Sequence, residues 1–172
     1  MNGRDIRVRL GRVRLVAFDV DGVFTDGRFH LSDDGVESKA FHTQDGYGIR
    51  RLLAAGLEVA VISGRRSGAV QRRMAELGVA HVFLGCDDKV EAFESLLQDL
   101  NIPGALCAYA GDDVPDIPLL RRAGISIAVA NAHVEVQDMC DFTTTRAGGH
   151  GAVREICDMI LGARDNLADS PE

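Results

Sequence analysis

Two aspartates stand two residues apart directly after the first long apolar run of the sequence, at Asp19 and Asp21. Gly22 follows them and permits a sharp turn, so both carboxylates can reach one pocket at the end of a strand. One carboxylate could then act as a nucleophile and the other as an acid and base. On its own, an Asp-x-Asp-Gly segment also fits an ordinary loop turn or a fragment of a calcium-binding loop.

A hydroxyl group and neighbouring backbone N–H groups follow the second apolar run, at Ser63, Gly64 and Arg65. A helix is predicted to begin there, which suits the binding of phosphate oxygens, although Ser63 could simply cap that helix. Lys89 opens a later amphipathic helix. A lysine in such a position is usually a solvated surface charge, so its role depends on the rest of the pattern.

Three acids lie within five residues after a further apolar run, at Asp112, Asp113 and Asp116. Their hard carboxylate oxygens, with few His or Cys candidates nearby, favour Mg²⁺ as the bound ion. The alternative is an acidic first helical turn favoured by the helix dipole, and Asp113 or Asp116 could serve that purpose.

Short apolar runs rich in Val, Ile or aromatic residues alternate with segments of helical spacing, several of which end at a glycine. This alternation predicts an α/β fold with a doubly wound parallel sheet. Ligands of such sheets bind beyond the carboxyl ends of the strands, where the polar residues above stand. The predicted strands are residues 13–18, 59–62, 107–110 and 125–129, and the predicted helices are residues 46–55, 67–77, 89–100 and 115–123.

One segment, residues 27–41, breaks the alternation. Its centre, Ser32-Asp33-Asp34-Gly35, is a strong turn signal and predicts a small projecting β-hairpin insertion. Little room is left for any other insertion, so the predicted fold has no cap domain. Residues 1–172 are predicted to form a single domain, with a flexible C-terminal tail over about 163–172.

The composition excludes several classes of partner. With 19 Lys and Arg against 26 Asp and Glu, the formal net charge is -7, which gives no field to hold nucleic acid or an anionic membrane. No apolar run is long enough to span a bilayer, and the N-terminal residues lack a signal-peptide core. The four cysteines are widely spaced without a CxxC pair, which favours reduced thiols over a disulfide framework or zinc site. These features predict a soluble cytoplasmic protein.

The ordered set of motifs, from Asp19 to Asp116 at successive strand ends, resembles the haloacid dehalogenase superfamily. The resemblance implies that Asp19 attacks phosphorus and forms a phosphoaspartate. It also implies that Asp21 protonates the leaving alcohol and later activates water. An aspartate in this second position favours a phosphatase over a dehalogenase.

The same resemblance implies roles for the later motifs. Ser63 and Lys89 would bind the transferring phosphoryl group, and Lys89 would also offset the charge of Asp19. Asp116 would orient Lys89 or a metal-bound water, with Asp113 in a supporting position. The implied ligands of Mg²⁺ are Asp19, the backbone carbonyl of Asp21, and Asp112.

Further segments, among them Lys39-Ala40-Phe41 and residues 147–155, resemble the 3-deoxy-D-manno-octulosonate 8-phosphate phosphatases of lipopolysaccharide precursor biosynthesis, which are uncapped tetramers. In that family Arg65, Arg73 and the backbone at Gly64 would bind the sugar acid, whose carboxylate suits a guanidinium. The glycine-rich segment around His150 would belong to a mobile tail that reaches a neighbour's active site. His150 departs from the arginine expected there.

Four alternatives remain open on the sequence. A related phosphatase for a nine-carbon keto-deoxy sugar acid phosphate, or a broad phosphomonoesterase, would share the chemistry, although the nine-carbon enzyme tends to carry Glu where this chain has Arg65. A noncatalytic tetramerisation module or a response-regulator receiver would not need every motif residue intact. An uncapped site is open to water, so we also expect a homo-oligomer in which neighbouring subunits cover it and the hairpin assists assembly.

Overall fold

A six-stranded parallel sheet forms the centre of the protein, and the computed structural model describes residues 3–168. The sheet order is β5-β4-β1-β6-β7-β8, and β2 pairs with β3 in a separate two-stranded sheet. The strands are β1 (Leu15–Phe18), β2 (His30–Leu31), β3 (Glu37–Ser38), β4 (Glu58–Ser63), β5 (His81–Leu84), β6 (Cys107–Gly111), β7 (Ile125–Ala128) and β8 (Phe142–Thr143).

Helices flank this sheet, and α7 packs against both α1 and α2. The helices are α1 (Gly3–Gly11), α2 (Thr43–Ala54), α3 (Gly68–Leu77), α4 (Lys89–Leu100), α5 (Ile117–Leu120), α6 (Val134–Met139) and α7 (Ala152–Ala168). Because helices cover the sheet, its central strands read as continuous apolar runs.

The central strand explains where a ligand can bind. All four residues of β1 are fully buried, and β1 pairs with β4 on one side and with β6 on the other. The strand order proceeds from β1 to β4 and β5 in one direction and to β6, β7 and β8 in the other. A reversal of this kind opens a crevice at the carboxyl ends of the two diverging strands, here β1 and β6.

The predicted doubly wound sheet is confirmed, and each predicted strand is present within a few residues. The predicted helix at 115–123 is shorter than expected, since a 3₁₀ turn at Val114–Asp116 precedes the four-residue α5. The carboxylate of Asp116 accepts hydrogen bonds from the N–H groups of Asp112 and Asp113, which holds this segment in a tight turn.

The predicted hairpin is formed by β2 and β3 and joined by a turn in which the Gly35 N–H donates to the Ser32 carbonyl at 2.9 Å. Gly35 has φ 76°, a conformation that glycine adopts without steric cost. Within residues 3–168 the chain has no other insertion between the sheet elements large enough to act as a cap. The uncapped fold is therefore confirmed.

The C-terminal helix extends further than the sequence suggested. We predicted a flexible tail over 163–172, but α7 continues to Ala168, and residues 169–172 lie outside the described part of the chain. Ile160 and Ala163 are buried, and Arg164 donates to the Val13 carbonyl at 3.0 Å. Because of these contacts, the helix continues into residues whose polar composition suggested a flexible tail.

The four cysteines are free thiols, as predicted. Cys107 and Cys157 are buried, whereas Cys86 and Cys140 are half-buried. In residues 3–168 we find no helix with the length and apolar character needed to cross a bilayer.

Candidate active site

The predicted site residues meet at the carboxyl ends of three neighbouring strands. Asp19 directly follows β1, Ser63 ends β4, and Asp112 directly follows β6. They border a cavity of about 350 Å³ at the crevice between β1 and β6. The lining residues are Asp19, Asp21, Gly27, Ser63, Gly64, Arg65, Lys89, Asp112, Asp113, Pro115 and Asp116.

Lys89 is held between two buried carboxylates. Its Nζ lies 2.7 Å from Asp19 Oδ1 and 2.8 Å from Asp116 Oδ1. Lys89 is the first residue of α4, and the side chain of Asp88 caps that helix by accepting from the Val90 and Glu91 N–H groups. This cap fixes where the helix begins and therefore where the ammonium group stands.

Asp116 supports this arrangement from the interior. It is 1% exposed, and the Tyr109 hydroxyl donates to its Oδ1 at 2.8 Å. Its other oxygen accepts from the backbone N–H groups of Asp112 and Asp113. Asp116 therefore contacts both Lys89 and the turn that carries Asp112; its role as an orienting residue stays a prediction.

Burial, together with repulsion between the carboxylates, raises the pKa values of two of these acids. Burial, followed by the charge of Asp116, raises the pKa of Asp19 to about 7, although Lys89 opposes the shift. Burial, followed by the charges of Asp19 and Asp116, raises the pKa of Asp112 to about 8. Burial acts to lower the pKa of Lys89, but the two adjacent carboxylates outweigh it and raise that pKa. The single positive charge of Lys89 does not offset the negative charges of the three carboxylates.

The excess of negative charge suits a divalent cation. Asp19, Asp112 and Asp116 each offer one carboxylate oxygen, and the three oxygens lie within 4.8 Å of one another. Hard carboxylate donors favour Mg²⁺ or a similar ion. The donor set fits the predicted metal, and it includes Asp116 beside the predicted ligands Asp19 and Asp112.

The loop that follows β1 can approach the three carboxylates only because residue 22 is glycine. Its φ is 94°, and a Cβ atom at this position would lie 1.9 Å from Asp112 Oδ2. Any side chain here would displace the carboxylate, so only glycine lets the loop carrying Asp21 pass this close to Asp112.

Asp21 is in contact with the hairpin. The Nζ of Lys39 donates a hydrogen bond to Asp21 Oδ1, and the Lys39 side chain is only 1% exposed. The Nε atom of Arg65 lies 3.7 Å from Asp21 Oδ2. The sequence analysis named Lys39 only within the family-like segment Lys39-Ala40-Phe41 and assigned it no role. That segment and the spacing of two residues from Glu37, which lies on β3, were the available signals.

Ser63 lies at the base of the cavity with 4% exposure. Its hydroxyl accepts from the Arg65 N–H at 3.3 Å, and its carbonyl accepts from the Cys86 N–H at 3.1 Å. The second bond ties the end of β4 to the loop that leads to Lys89. Ser63 and Lys89 line the same cavity, and their binding of one phosphoryl group stays a prediction.

Arg73 does not join these residues within one chain. It borders a separate cavity of about 250 Å³ and pairs with Glu76 at 2.9 Å. Eight residues of mostly helical backbone, about 12 Å at the helical rise, carry Arg73 away from Arg65. Its predicted contact with the substrate remains a prediction that a single chain does not fulfil.

The glycine-rich segment before α7 packs against its own chain. The Gly148 N–H donates to Asn131 Oδ1 at 2.6 Å, and Asn131 Nδ2 donates to the Gly22 carbonyl at 3.2 Å. A Cβ atom on Gly148 would lie 1.7 Å from that carbonyl oxygen. We expected a mobile segment here, but these contacts support the first catalytic loop. His150 borders a cavity of about 220 Å³ beside them.

Comparison with known proteins shows the family to which the chain belongs. The family of haloacid dehalogenase-like hydrolases matches residues 81–156. The 3-deoxy-D-manno-octulosonate 8-phosphate phosphatase of Escherichia coli is 43% identical over 166 residues, which cover 96% of this chain and 88% of that protein.

Solved structures show the same similarity. The phosphatase of the same name from Moraxella catarrhalis, crystallised with a magnesium ion, a phosphate ion and a KDO molecule, superposes with a TM-score of 0.93 at 41% identity, covering 97% of this chain and 96% of that one. The corresponding Yersinia pestis structure has a TM-score of 0.92 at 42% identity, covering 96% and 89%. The chain belongs to the 3-deoxy-D-manno-octulosonate 8-phosphate phosphatase family of the haloacid dehalogenase superfamily.

Proposed function

We propose that this protein hydrolyses 3-deoxy-D-manno-octulosonate 8-phosphate to 3-deoxy-D-manno-octulosonate and phosphate, as a step in lipopolysaccharide precursor synthesis. The observation that carries the proposal is the buried Asp19, paired with Lys89 at 2.7 Å in a cavity that also holds Asp21, Asp112 and Arg65. The names of the relatives above, at 41 to 43% identity over nearly the whole chain, supply the substrate.

The first half of the reaction forms a bond between an Asp19 carboxylate oxygen and phosphorus while the bond from phosphorus to the sugar oxygen breaks. Asp21 gives its proton to that leaving oxygen, which departs as the alcohol. In the second half Asp21 takes a proton from water as the water oxygen attacks phosphorus. The phosphoaspartate bond then breaks, which releases phosphate and restores Asp19.

Repulsion between a carboxylate and a phosphate dianion is the main obstacle to the attack, so charge neutralisation dominates the catalytic requirement. Lys89 stands at the nucleophile and can bind a phosphoryl oxygen, and Ser63 can donate its hydroxyl from the base of the cavity. Asp19, Asp112 and the backbone carbonyl of Asp21 would hold Mg²⁺, with Asp116 beside them. When bound, the ion would supply positive charge that offsets the repulsion between nucleophile and phosphate.

Phosphate release from a substrate panel tests the proposal. The panel contains the octulosonate 8-phosphate, its nine-carbon analogue and simple sugar phosphates, each with Mg²⁺ and with EDTA. We expect magnesium-dependent turnover with the highest kcat/KM for the octulosonate. Equal or better turnover of another compound would refute the proposed substrate but would still be consistent with a phosphatase mechanism.

Magnesium binding should depend on pH, because the folded protein holds protons on acids that are ionised when unfolded. The pKa values of Asp19, about 7, and Asp112, about 8, lie above the ordinary 3.8, so the metal-free protein should lose stability as pH rises from about 4 to 8. Mg²⁺ must displace those protons, so it should bind more tightly at pH 8.5 than at pH 6.

Thermal unfolding with and without Mg²⁺ measures this effect. At about 100 times its dissociation constant a ligand adds about 2.7 kcal/mol, which for a chain of this size raises Tm by about 5–10 °C. We expect this rise at pH 8.5, a smaller one at pH 6 at the same Mg²⁺ concentration, and none in Asp112→Asn. A rise of the same size at both pH values would contradict the protonation assignment.

We also propose a homotetramer in the cytoplasm. The site is uncapped, and the hairpin exposes Leu31 and Val36, each 65% exposed, which suit contact with another copy. The free cysteines suit a reducing compartment. Light scattering should give about four times the 18.5 kDa of one chain, and Val36→Asp should lower that mass. A wild-type monomer at assay concentration would refute this assembly.

A further inference from the structure

The hairpin presents a charged and aromatic face to the cavity. In the two-stranded sheet Leu31 pairs with Glu37, and His30 pairs with Ser38. Side chains alternate between the two faces of a strand, so Glu37 lies on the face opposite to that of Ser38. Phe29 and Lys39 flank the two strands and are placed by their own contacts. The side chains of Phe29, Glu37 and Lys39 contact Arg65 or Asp21.

Arg65 is held on three sides. Its guanidinium carbon lies 4.1 Å from the centre of the Phe29 ring, and its Nη2 donates to Glu37 Oε2 at 2.9 Å. Its Nε lies 3.7 Å from Asp21 Oδ2. The side chain is nevertheless 48% exposed, so the guanidinium group remains open to a ligand at the mouth of the cavity.

Glu37 is itself fixed rather than freely solvated. Its Oε1 lies 3.7 Å from the Nζ of Lys39, whose side chain is 1% exposed. A hydrogen bond with Ser67, followed by the one from Arg65, lowers the pKa of Glu37. Buried or half-buried charges in such a network keep a defined geometry because each depends on its neighbour for compensation.

An unrestrained arginine on a surface loop has many rotamers and loses them all on binding. A guanidinium that is stacked on a ring and hydrogen-bonded at one edge is already ordered, so binding a carboxylate costs less. This lower cost of binding applies only to substrates that carry a carboxylate in addition to the phosphate. Simple phosphomonoesters, bound by Lys89 and Ser63, do not depend on it.

We propose that Phe29 and Glu37 of the hairpin are positioning residues that determine specificity, by holding Arg65 ready for the carboxylate of the substrate. The inference rests on the proposed function for the identity of that substrate. Part of the substrate selection that a cap domain would otherwise perform then falls to the hairpin, an insertion of about fifteen residues.

Steady-state kinetics on Phe29→Leu, Phe29→Tyr and Glu37→Gln, with octulosonate 8-phosphate and with p-nitrophenyl phosphate, test the proposal. For the octulosonate, Phe29→Leu and Glu37→Gln should raise KM by about 5- to 30-fold with little change in kcat. For p-nitrophenyl phosphate the change should stay within about twofold. Phe29→Tyr keeps the ring and should restore the wild-type KM, and Ser38→Ala, on the opposite face, is the matched control.

A double-mutant comparison separates positioning from general damage. In an Arg65→Ala background, Phe29→Leu should have no further effect on the KM for the octulosonate, because the group it positions is gone. Equal losses on both substrates, or an undiminished Phe29→Leu effect without Arg65, would overturn the proposal. If the wild type prefers another sugar acid phosphate, the proposed function fails, and the same variants measured on that preferred substrate decide the inference. Turnover of no sugar acid phosphate would refute both.

Discussion

Replacing Asp19 with asparagine is expected to abolish phosphate release, lowering kcat by about 10⁴-fold or more. The amide cannot form the acyl phosphate through which both halves of the reaction pass, and it also removes a candidate metal ligand. The measurement is phosphate release under saturating substrate and Mg²⁺. Asp99→Asn, an equal change of charge at an exposed position on α4, should retain wild-type activity.

A direct test of the intermediate accompanies that variant. Wild-type enzyme quenched in acid during turnover should show one added phosphoryl group on the peptide that contains Asp19, and Asp19→Asn should not. Substantial turnover by Asp19→Asn, or phosphorylation of a different residue, would refute the covalent mechanism.

Replacing Lys89 with methionine should damage both catalysis and stability. Removing one preorganised charge from the reacting phosphate costs about 10²–10³-fold in kcat. The change also leaves Asp19 and Asp116 without their cation, and breaking a buried pair in this way costs about 3 kcal/mol of unfolding free energy. Activity assays and urea unfolding in EDTA measure the two effects separately.

The double variant Lys89→Met with Asp116→Asn distinguishes the two roles. It removes one of the buried negative charges, so part of the lost stability should return while activity stays low. If Lys89→Met unfolded at the wild-type urea concentration, the pairing of Lys89 with Asp19 and Asp116 would not describe the protein in solution.

The core of the site could be predicted because local sequence determines it. Asp19, Ser63 and Asp112 each stand at the end of an apolar run, and the parallel order of those runs brings them to one edge of the sheet. Lys89 was placed correctly because it begins an amphipathic helix with Asp88 as its cap. The family resemblance then supplied chemistry that the spacing alone left open.

Other features depend on contacts between distant residues. Lys39 is buried against Asp21 only because the hairpin packs against the loop that carries Asp21, and no sequence periodicity predicts that packing. Arg73 was grouped with Arg65 by resemblance, yet the helix directs it elsewhere in a single chain. Helix α1 was missed because charges interrupt its short apolar pattern; Arg9 within it pairs with Asp141 at 3.1 Å across the fold.

The contact between Gly148 and the Gly22 carbonyl has a consequence for biosynthesis. The loop that bears Asp21 is made among the first residues to leave the ribosome, but the backbone that supports it is made more than a hundred residues later. Its strand, β1, likewise lies between partners that begin at residues 58 and 107. A nascent chain therefore cannot assemble a competent active site early, and one edge of its first apolar strand must stay unpaired, and prone to aggregation, until β6 has emerged.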